Sequence, residues 1–567
     1  MSMATQTRRS FLKEAAVAAG GVAVASAMAG VATQALAEGS TDPNGLPEGW
    51  DIETDVVVMG YGYSAIASAI SAAVEGSQVQ VFEKAPEEEA GGNSAVCCGY
   101  FNLVSGEGAF DYWKALADGG VSDEECKAVA AATEKMPQWI CDNIFPDAEI
   151  TTYEGKDAVK KFNGAEYPDA GTMSISIPLT GPGTDKNMGL GNAMWLAMDK
   201  VVREQYADKI AVNFDSPVTH LIFDPATKEV FGVRVQQGDK EICVKAAKGV
   251  VMACGGFENN YEMIKDFVLP TFEQFHIGSP YNTGDGIVML NEIGAKLRHM
   301  AATEYGSACH LELSRKYHQA IPTHNGGDNA HMVYINKHGK RFIAENSRWP
   351  AHDKRYPYPC FNQELPTLEV TNYPWWMVFD ETRRTKSTIF AWSNPVRNEG
   401  WAAVRGTYQW SDDCAPEIEE GLVLKADTLE DLGAQMGFEG DDLAAFVDEM
   451  NSFNENGANM EDPEFGRTST SDEDDEGKMG VTDAPFYAIQ CGICYLNTNG
   501  GGDRTVDYQV NDWNGNPIPR LYEAGEFGSI FYHYYSGGGN ICEAFTSGMM
   551  CGQNVSALEA WEYVLVR

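Results

Sequence analysis

The clearest hydrophobic pattern lies near residue 55, where Asp55 is followed by the unbroken apolar run Val56-Val57-Val58-Met59. Consecutive apolar residues closed by a glycine predict a short strand buried on both faces, because a half-exposed strand would alternate. The turn Gly60-Tyr61-Gly62-Tyr63-Ser64 comes next, small and apolar residues from Ala65 to Val74 recur at helical spacing, and Gln78 to Phe82 predicts a second strand ending in Glu83. Further on, Gly249-Val250-Val251-Met252 predicts another buried strand running into Ala253-Cys254-Gly255-Gly256, and Thr283-Gly284-Asp285-Gly286-Ile287 opens a helix. No internal repeat of solenoid length is present. Beyond residue 37 there is no uninterrupted apolar run of about 18 residues, so no membrane-spanning helix is predicted.

Gly60-x-Gly62-x-x-Ala65 is a dinucleotide fingerprint in its proper strand, turn, helix and strand setting. Gly60 permits the tight turn, Gly62 lets a pyrophosphate approach the backbone at the helix N-terminus, and Ala65 keeps helix and strand close. Glu83 is placed to accept both ribose hydroxyls, which a 2′-phosphate would prevent. By itself the fingerprint leaves FAD and NAD open.

The composition changes the picture in three ways. Apolar residues are 44% and charged residues 22% of 567, which supplies a large core and excludes a disordered or collagen-like chain. The formal charge of -41 repels phosphate backbones and anionic headgroups, so no nucleic acid is expected as a partner, whereas a basic redox protein would be attracted. The 13 cysteines are scattered and odd in number, which argues against a disulfide framework. Cys491-x-x-Cys494 is followed by Tyr495, which excludes covalent c-type haem; an iron–sulfur cluster such as [4Fe-4S] built from dispersed cysteines stays open beside the reading of buried thiols.

The N-terminus reads as a twin-arginine export signal over residues 1–37. Thr7-Arg8-Arg9-Ser10-Phe11-Leu12-Lys13 precedes an Ala/Gly/Val stretch that ends in the cleavage-like Ala35-Leu36-Ala37. That route carries folded proteins, so an extracytoplasmic or periplasmic location is expected, with membrane association only through a partner.

Further glycine clusters follow in a fixed order: Gly91-Gly92-Asn93-Ser94, Gly255-Gly256, Leu521-Tyr522-Glu523-Ala524-Gly525-Glu526, and Ser536-Gly537-Gly538-Gly539-Asn540. On these residues the chain resembles the flavoprotein subunits of the fumarate reductase and succinate dehydrogenase family, including its 3-ketosteroid dehydrogenase branch and the exported flavin reductases of anaerobic bacteria. The resemblance implies an α/β fold: a discontinuous Rossmann-like FAD-binding domain over 53–300 and 497–567, with an inserted α+β capping domain over 301–496. It implies non-covalent FAD held by Gly60, Gly62, Ser64, Ala65, Glu83, Gly91, Gly92, Asn93, Ser94, Val218, Ala253, Gly255, Thr283, Asp285, Glu526, Gly538 and Asn540, with no metal site. Electrons would come from a membrane-anchored cytochrome c or a quinol-linked donor, as in anaerobic respiration.

The catalytic positions depart from the fumarate pattern. The family's first His falls at Gly306 beside Tyr305, the His-His-Thr stretch reads Leu496-Asn497-Thr498, the proton-relay pair falls on Asn325 and Asp328, and the late Arg is replaced in Tyr534-Tyr535-Ser536-Gly537-Gly538-Gly539. Losing those cations makes a dicarboxylate an unlikely substrate. Tyr535-Ser536-Gly537-Gly538-Gly539 is instead similar to the ketosteroid dehydrogenase motif in which a Tyr hydroxyl and a Gly amide bind a ketone oxygen, which implies that role for Tyr535 and Gly539. Arg348, with Tyr305, Tyr334 and His310 as alternatives, is the candidate proton donor. Phe531, Tyr532, Tyr534, Tyr535 and Trp349 are expected to wall a flat apolar pocket. Arg504 reads either as an anion contact near the flavin or as an ion pair with Asp503 or Asp507. The expected activity is reduction of a C=C bond conjugated to a ketone, lactone or acid in a bulky, largely neutral molecule such as a steroid. The alternatives are the reverse, dehydrogenating reaction and an electron-transfer flavoprotein without turnover.

Overall fold

The structure is a computed structural model describing residues 44–561 except 98, 100, 102, 154–170, 180–189, 269–272, 325–330, 346–359, 361–362, 365–366, 387–388, 390–399, 468–478, 533–534 and 536–537. Residues 1–37, read above as an export signal, and Arg348 therefore lie outside the described residues, as do Trp349, Tyr534, Asn325 and Asp328.

The first apolar run is strand β1 (Ile52–Met59), followed by helix α1 (Tyr63–Val74) and β2 (Val79–Phe82). With β3 (Ile210–Asn213), β4 (Val218–Phe223), β5 (Val230–Gln237), β6 (Lys240–Met252), β7 (Gln509–Asn511) and β8 (Pro517–Glu523) they build an eight-stranded sheet. Its main path runs β7-β8-β6-β1-β2-β3, parallel from β8 to β3, with β5 added antiparallel to β6 and β4 antiparallel to β5. The continuous Val run suits this central place: Val56 and Val58 face one hydrophobic core, and Val57 and Met59 face the other, as the two-residue period of a strand requires.

The first core is closed by α1, by α2 (Asp123–Asn143), by α3 (Leu190–Gln205) and, beyond α4 (Asp285–Ile293) of the second core, by the long C-terminal helix α5 (Gly539–Ser556). Helices α1 and α5 touch backbone to backbone. A Cβ on Gly548 would stand 2.6 Å from the Ser64 carbonyl oxygen, and one on Gly552 would meet Ser68 and Ser71, so the small residues of both helices are what permits the approach. The two helices run parallel, with the start of α1 level with Gly548 in the middle of α5, so the first turns of α5 reach beyond the N-terminus of α1.

A second, seven-stranded sheet forms around the strand Phe486–Thr498, which pairs with Gln274–His276, Thr303–His310, Trp375–Phe379 and Leu424–Ala426. Residues 274–276 belong to this sheet although they precede residue 300, and the central strand runs through residue 496 into Thr498. It carries Leu496 and Asn497 from the second sheet to the edge of the first. Among the described residues no helix is long and apolar enough to cross a membrane.

Candidate active site

At the C-terminal ends of β1, β2, β6 and β8 lies a cavity, open at its mouth. This is where ligands bind in open parallel sheets. The turn after β1 forms its floor. Gly60 has φ +96, and a Cβ there would press on the Ala253 carbonyl at 2.5 Å. Gly62 caps α1; its added Cβ would stand 3.0 Å from Ser94 Oγ, which itself accepts the Tyr63 N–H at 2.9 Å. Glycine is thus required at 60 by conformation and at 62 by proximity. Gly62→Val should yield purified protein without yellow colour, checked as the flavin-to-protein ratio, because the branched side chain fills the space kept for pyrophosphate above the helix N-terminus.

Glu83, 7% exposed, ends β2 and accepts the Ala85 N–H at 2.8 Å. Burial pushes its carboxyl above the ordinary range, partly offset by backbone N–H donors. Ribose hydroxyls donating to it would favour the charged form. Beside it Lys84 Nζ donates to Thr283 Oγ1 at 2.5 Å and to Asp285 Oδ2 at 2.6 Å, so Thr283 acts behind the wall through Lys84. Gly60, Gly62, Ser64, Glu83, Gly91, Gly92, Asn93, Ser94, Val218, Ala253, Gly255, Asp285, Glu526, Gly538 and Asn540 all line the cavity. Ala65 does not; it is fully buried where α1 meets the sheet. The wall also holds Asn540 Oδ1, buried and without a hydrogen-bond partner, as an acceptor aimed at a ligand. These residues fit FAD: a glycine floor at a helix N-terminus, a buried carboxylate for ribose, and polar atoms awaiting donors.

The far end is lined by Val96, Ile277, Gly278, Gly400, Leu496 and Tyr535. Tyr535 is 7% exposed, and its hydroxyl oxygen accepts the Asn540 N–H of the first turn of α5 at 3.3 Å. The amide that meets this hydroxyl is that of Asn540 rather than that of Gly539. Gly539 stands outside the lining, packed so closely on Phe531 and Tyr535 that a Cβ would collide with both rings. Asn540 Nδ2 also donates to Asn497 Oδ1 at 2.8 Å, a link that fixes the end of the long strand to α5.

Other expected residues are placed elsewhere. Phe531 is in the core against Trp113, and Tyr532 stacks on His299, so neither walls the cavity. Tyr305 lies on the strand Thr303–His310. His310 caps the helix Leu311–Tyr317 and bonds the Leu422 carbonyl at 2.9 Å, and Tyr334 is buried in the second core. Arg504 contacts neither Asp503 nor Asp507 through its side chain; fully buried, it pairs with Glu125 and Glu543. The iron–sulfur alternative is not supported: Cys491 and Cys494 stand three apart on one strand and belong to different hydrophobic cores, the twelve described cysteines are free thiols, and no group of three or more His, Cys, Asp or Glu among the described residues could hold a metal ion. Two residues were missed in the sequence: Asn282, which lines the cavity, and Glu258, which stands behind the glycine wall and follows the Gly255-Gly256 pair, the one local signal of its place.

Known proteins now decide the family. The sequence pattern of the FAD binding domain family matches residues 55–541. The chain belongs to this family. It is an FAD-dependent oxidoreductase acting on CH–CH bonds. The chain is 26% identical to digoxin reductase of Eggerthella lenta, over 98% of each chain. It is 29% identical to the 3-oxosteroid 1-dehydrogenase of Mycobacterium tuberculosis, over 55% of this chain and 53% of that one. Its fold is that of the 3-ketosteroid delta1-dehydrogenase of Sterolibacterium denitrificans, with TM-score 0.72, 21% identity, and 89% of this chain and 99% of the other covered.

Proposed function

We propose that the chain is an exported reductase that saturates a C=C bond conjugated to a carbonyl in a bulky, largely neutral substrate. The observation that carries the reading is the far end of the cavity, apolar except for the Tyr535 hydroxyl on the N-terminus of α5 and the Asn497 and Asn540 amides beside it. A dicarboxylate needs cations, each charge-assisted contact being worth roughly 1.5 to 3 kcal/mol. Among the described lining residues the only Lys or Arg is Lys84, held by Thr283 and Asp285 at the Glu83 end. The similarity to digoxin reductase along the whole chain supports a large, neutral, unsaturated substrate.

The chemistry that bound FAD supplies is hydride transfer to the electron-poor carbon. The chain's own part is to polarise the carbonyl and exclude water. Because its oxygen accepts the Asn540 N–H, the Tyr535 hydroxyl is a strengthened donor toward a carbonyl whose charge grows in the transition state. Proton delivery is assigned to Arg348 on the sequence alone. The test is oxidation of reduced viologen by a panel of fumarate, urocanate, cinnamates, steroid enones and cardenolides. Substrate-dependent oxidation by the bulky neutral members and none by fumarate is the expected result; equal rates with fumarate, or no oxidation by any member, would sink the reading.

The steroid dehydrogenase relatives favour a second reading, the reverse reaction on a 3-ketosteroid-like ring. An acceptor dye with the saturated ketone measures it directly. Electron supply gives a further expectation. With one dinucleotide fingerprint occupied by FAD, micromolar NADH should leave the flavin band unbleached under anaerobic conditions, whereas viologen should bleach it; we propose a cytochrome c or quinol-linked carrier as the natural donor, attracted by the acidic chain.

A further inference from the structure

We infer that Glu258 is a cofactor-positioning residue: its carboxyl shares one proton with that of Glu526 beside Gly256, and the singly charged pair holds the hydroxyl-bearing chain of FAD. The inference rests on FAD binding and is independent of the substrate.

Glu258 follows β6 and Glu526 follows β8, and because these strands are parallel neighbours their terminal turns abut. Glu526 lines the cavity, whereas Glu258 is 1% exposed and sits behind it. Asn93 Nδ2 donates to both, at 2.8 Å to Glu258 Oε1 and at 3.1 Å to Glu526 Oε2. The Asn93 amide cannot turn round, since its Oδ1 accepts the Ser279 N–H at 2.8 Å. Asn282 Nδ2 donates to the same Glu258 Oε1 at 2.6 Å, and Thr498 Oγ1 lies 3.4 Å from Glu258 Oε2.

One oxygen is then left over. Glu526 Oε1 is buried and finds no hydrogen-bond partner among the described residues. A Cβ added to Gly256 would collide at once with Glu526 Oε1, Glu258 Oε2 and Thr498 Oγ1, so the two carboxyl oxygens converge on one point. The groups that face the pair are the Asn93 and Asn282 amides, the Thr498 hydroxyl and backbone N–H and, at the Glu258 carbonyl, the Tyr495 hydroxyl; no Lys or Arg among the described residues bonds either carboxyl. Two carboxylates in one dry site without a cation cannot both stay ionised, and a proton between Oε1 and Oε2 satisfies both oxygens. Burial raises both groups, and Glu526 also feels the Glu258 charge. The pair titrates as a unit.

In this arrangement Glu258 acts through Glu526. The shared proton keeps Glu526 pulled back against Gly256 while its cavity-facing edge accepts cofactor hydroxyls. Losing the proton places two charges side by side and drives Glu526 out of position.

The experiment uses purified holoenzyme diluted across a pH series, with FAD release read from flavin fluorescence and no substrate present. Wild-type release should increase about tenfold per pH unit once the shared proton ionises on the alkaline side. In Glu258→Gln the amide accepts from Asn93 and Asn282 through its oxygen and donates a permanent N–H to Glu526, so the flavin should be retained with no alkaline limb. Glu258→Ala should release FAD faster at every pH. A Glu258→Gln protein with the wild-type alkaline limb, or a Glu258→Ala protein with wild-type retention, would overturn the inference. If Glu258→Gln does not fold, Glu526→Gln carries the same test, because its amide N–H can serve the same contact from the other side: a flat alkaline profile supports the shared proton and an unchanged limb refutes it. Viologen oxidation is read separately, so a failed substrate assignment leaves this outcome unaffected.

Discussion

Arg504→Met should destabilise the protein by about 3 to 5 kcal/mol, the usual cost of stripping one partner from a buried ion pair. Arg504 is wholly buried; its Nη2 bonds Glu543 Oε1, and its Nε lies 3.2 Å from Glu125 Oε1. Glu125 is also gripped by Arg298, through Nη1 at 2.9 Å and Nη2 at 2.8 Å, and Arg298 further donates to the Gly528 carbonyl. Without Arg504, Glu543 is left buried with no cation. Chemical denaturation of the flavin-loaded protein measures the loss, and the double variant Arg504→Met/Glu543→Leu should recover much of it, since the desolvation cost of the charge goes too. A single variant within about 1 kcal/mol of wild type would mean that the network is hydrated or rearranged.

The same cluster sets a pH dependence. Burial pushes Glu523 up to about 8, against the opposing pull of Arg298 and Arg504. Its folded value lies above the unfolded one, so between those two values the folded state binds more protons. This group's contribution to stability therefore falls as pH rises toward about 8 and stays low beyond it. Glu523→Gln should remove that component, and denaturation at pH 6 and 9 on both proteins checks it.

Tyr535→Phe should lower kcat about a hundred- to a thousand-fold on the best enone found, or about 2.7 to 4 kcal/mol, with KM changed far less. The hydroxyl oxygen is tied to the first turn of α5 through Asn540, so the O–H is aimed and polarised before substrate arrives. A donor directed at developing charge acts on the transition state rather than on binding. Flavin content should be unchanged, because the residues that fit FAD along the rest of the cavity are untouched. A variant retaining more than about a third of wild-type kcat would move the carbonyl to another donor, and Asn497 or Asn540 would be next. Arg504 cannot take that place, since its guanidinium is committed to Glu125 and Glu543.

The nucleotide turn and its flanking elements were legible in the sequence because they are local. An uninterrupted Val run, a glycine pair at fixed spacing, a small-residue helix and a terminal Glu each act on neighbours within a few residues, and β1, α1 and β2 lie where that pattern places them. The later glycine clusters were legible for a related reason, since a position without room for a Cβ admits one residue type wherever the partner comes from.

Charged and aromatic side chains were not legible in this way. For Arg504 the sequence offers an anion contact near the flavin or a pair with Asp503 or Asp507, but its partners stand 379 and 39 residues away. Phe531 and Tyr532 turned into the core and onto His299, because a side chain's direction depends on which neighbour fills the space beside it. At the start of α5 the N–H that meets the Tyr535 hydroxyl is that of Asn540, since the helix register decides which N–H faces that side chain. Glu258 and Glu526 stand far apart in the chain and meet only because β6 and β8 are parallel neighbours. The sequence by itself determined that a dinucleotide is bound, through local backbone geometry that few residues permit, while the choice of FAD came from the resemblance of the whole chain to a flavoprotein family. Which carboxyls share a proton, which arginine is buried and which hydroxyl faces the cavity were decided by the tertiary structure, because they depend on long-range pairings that no local pattern encodes.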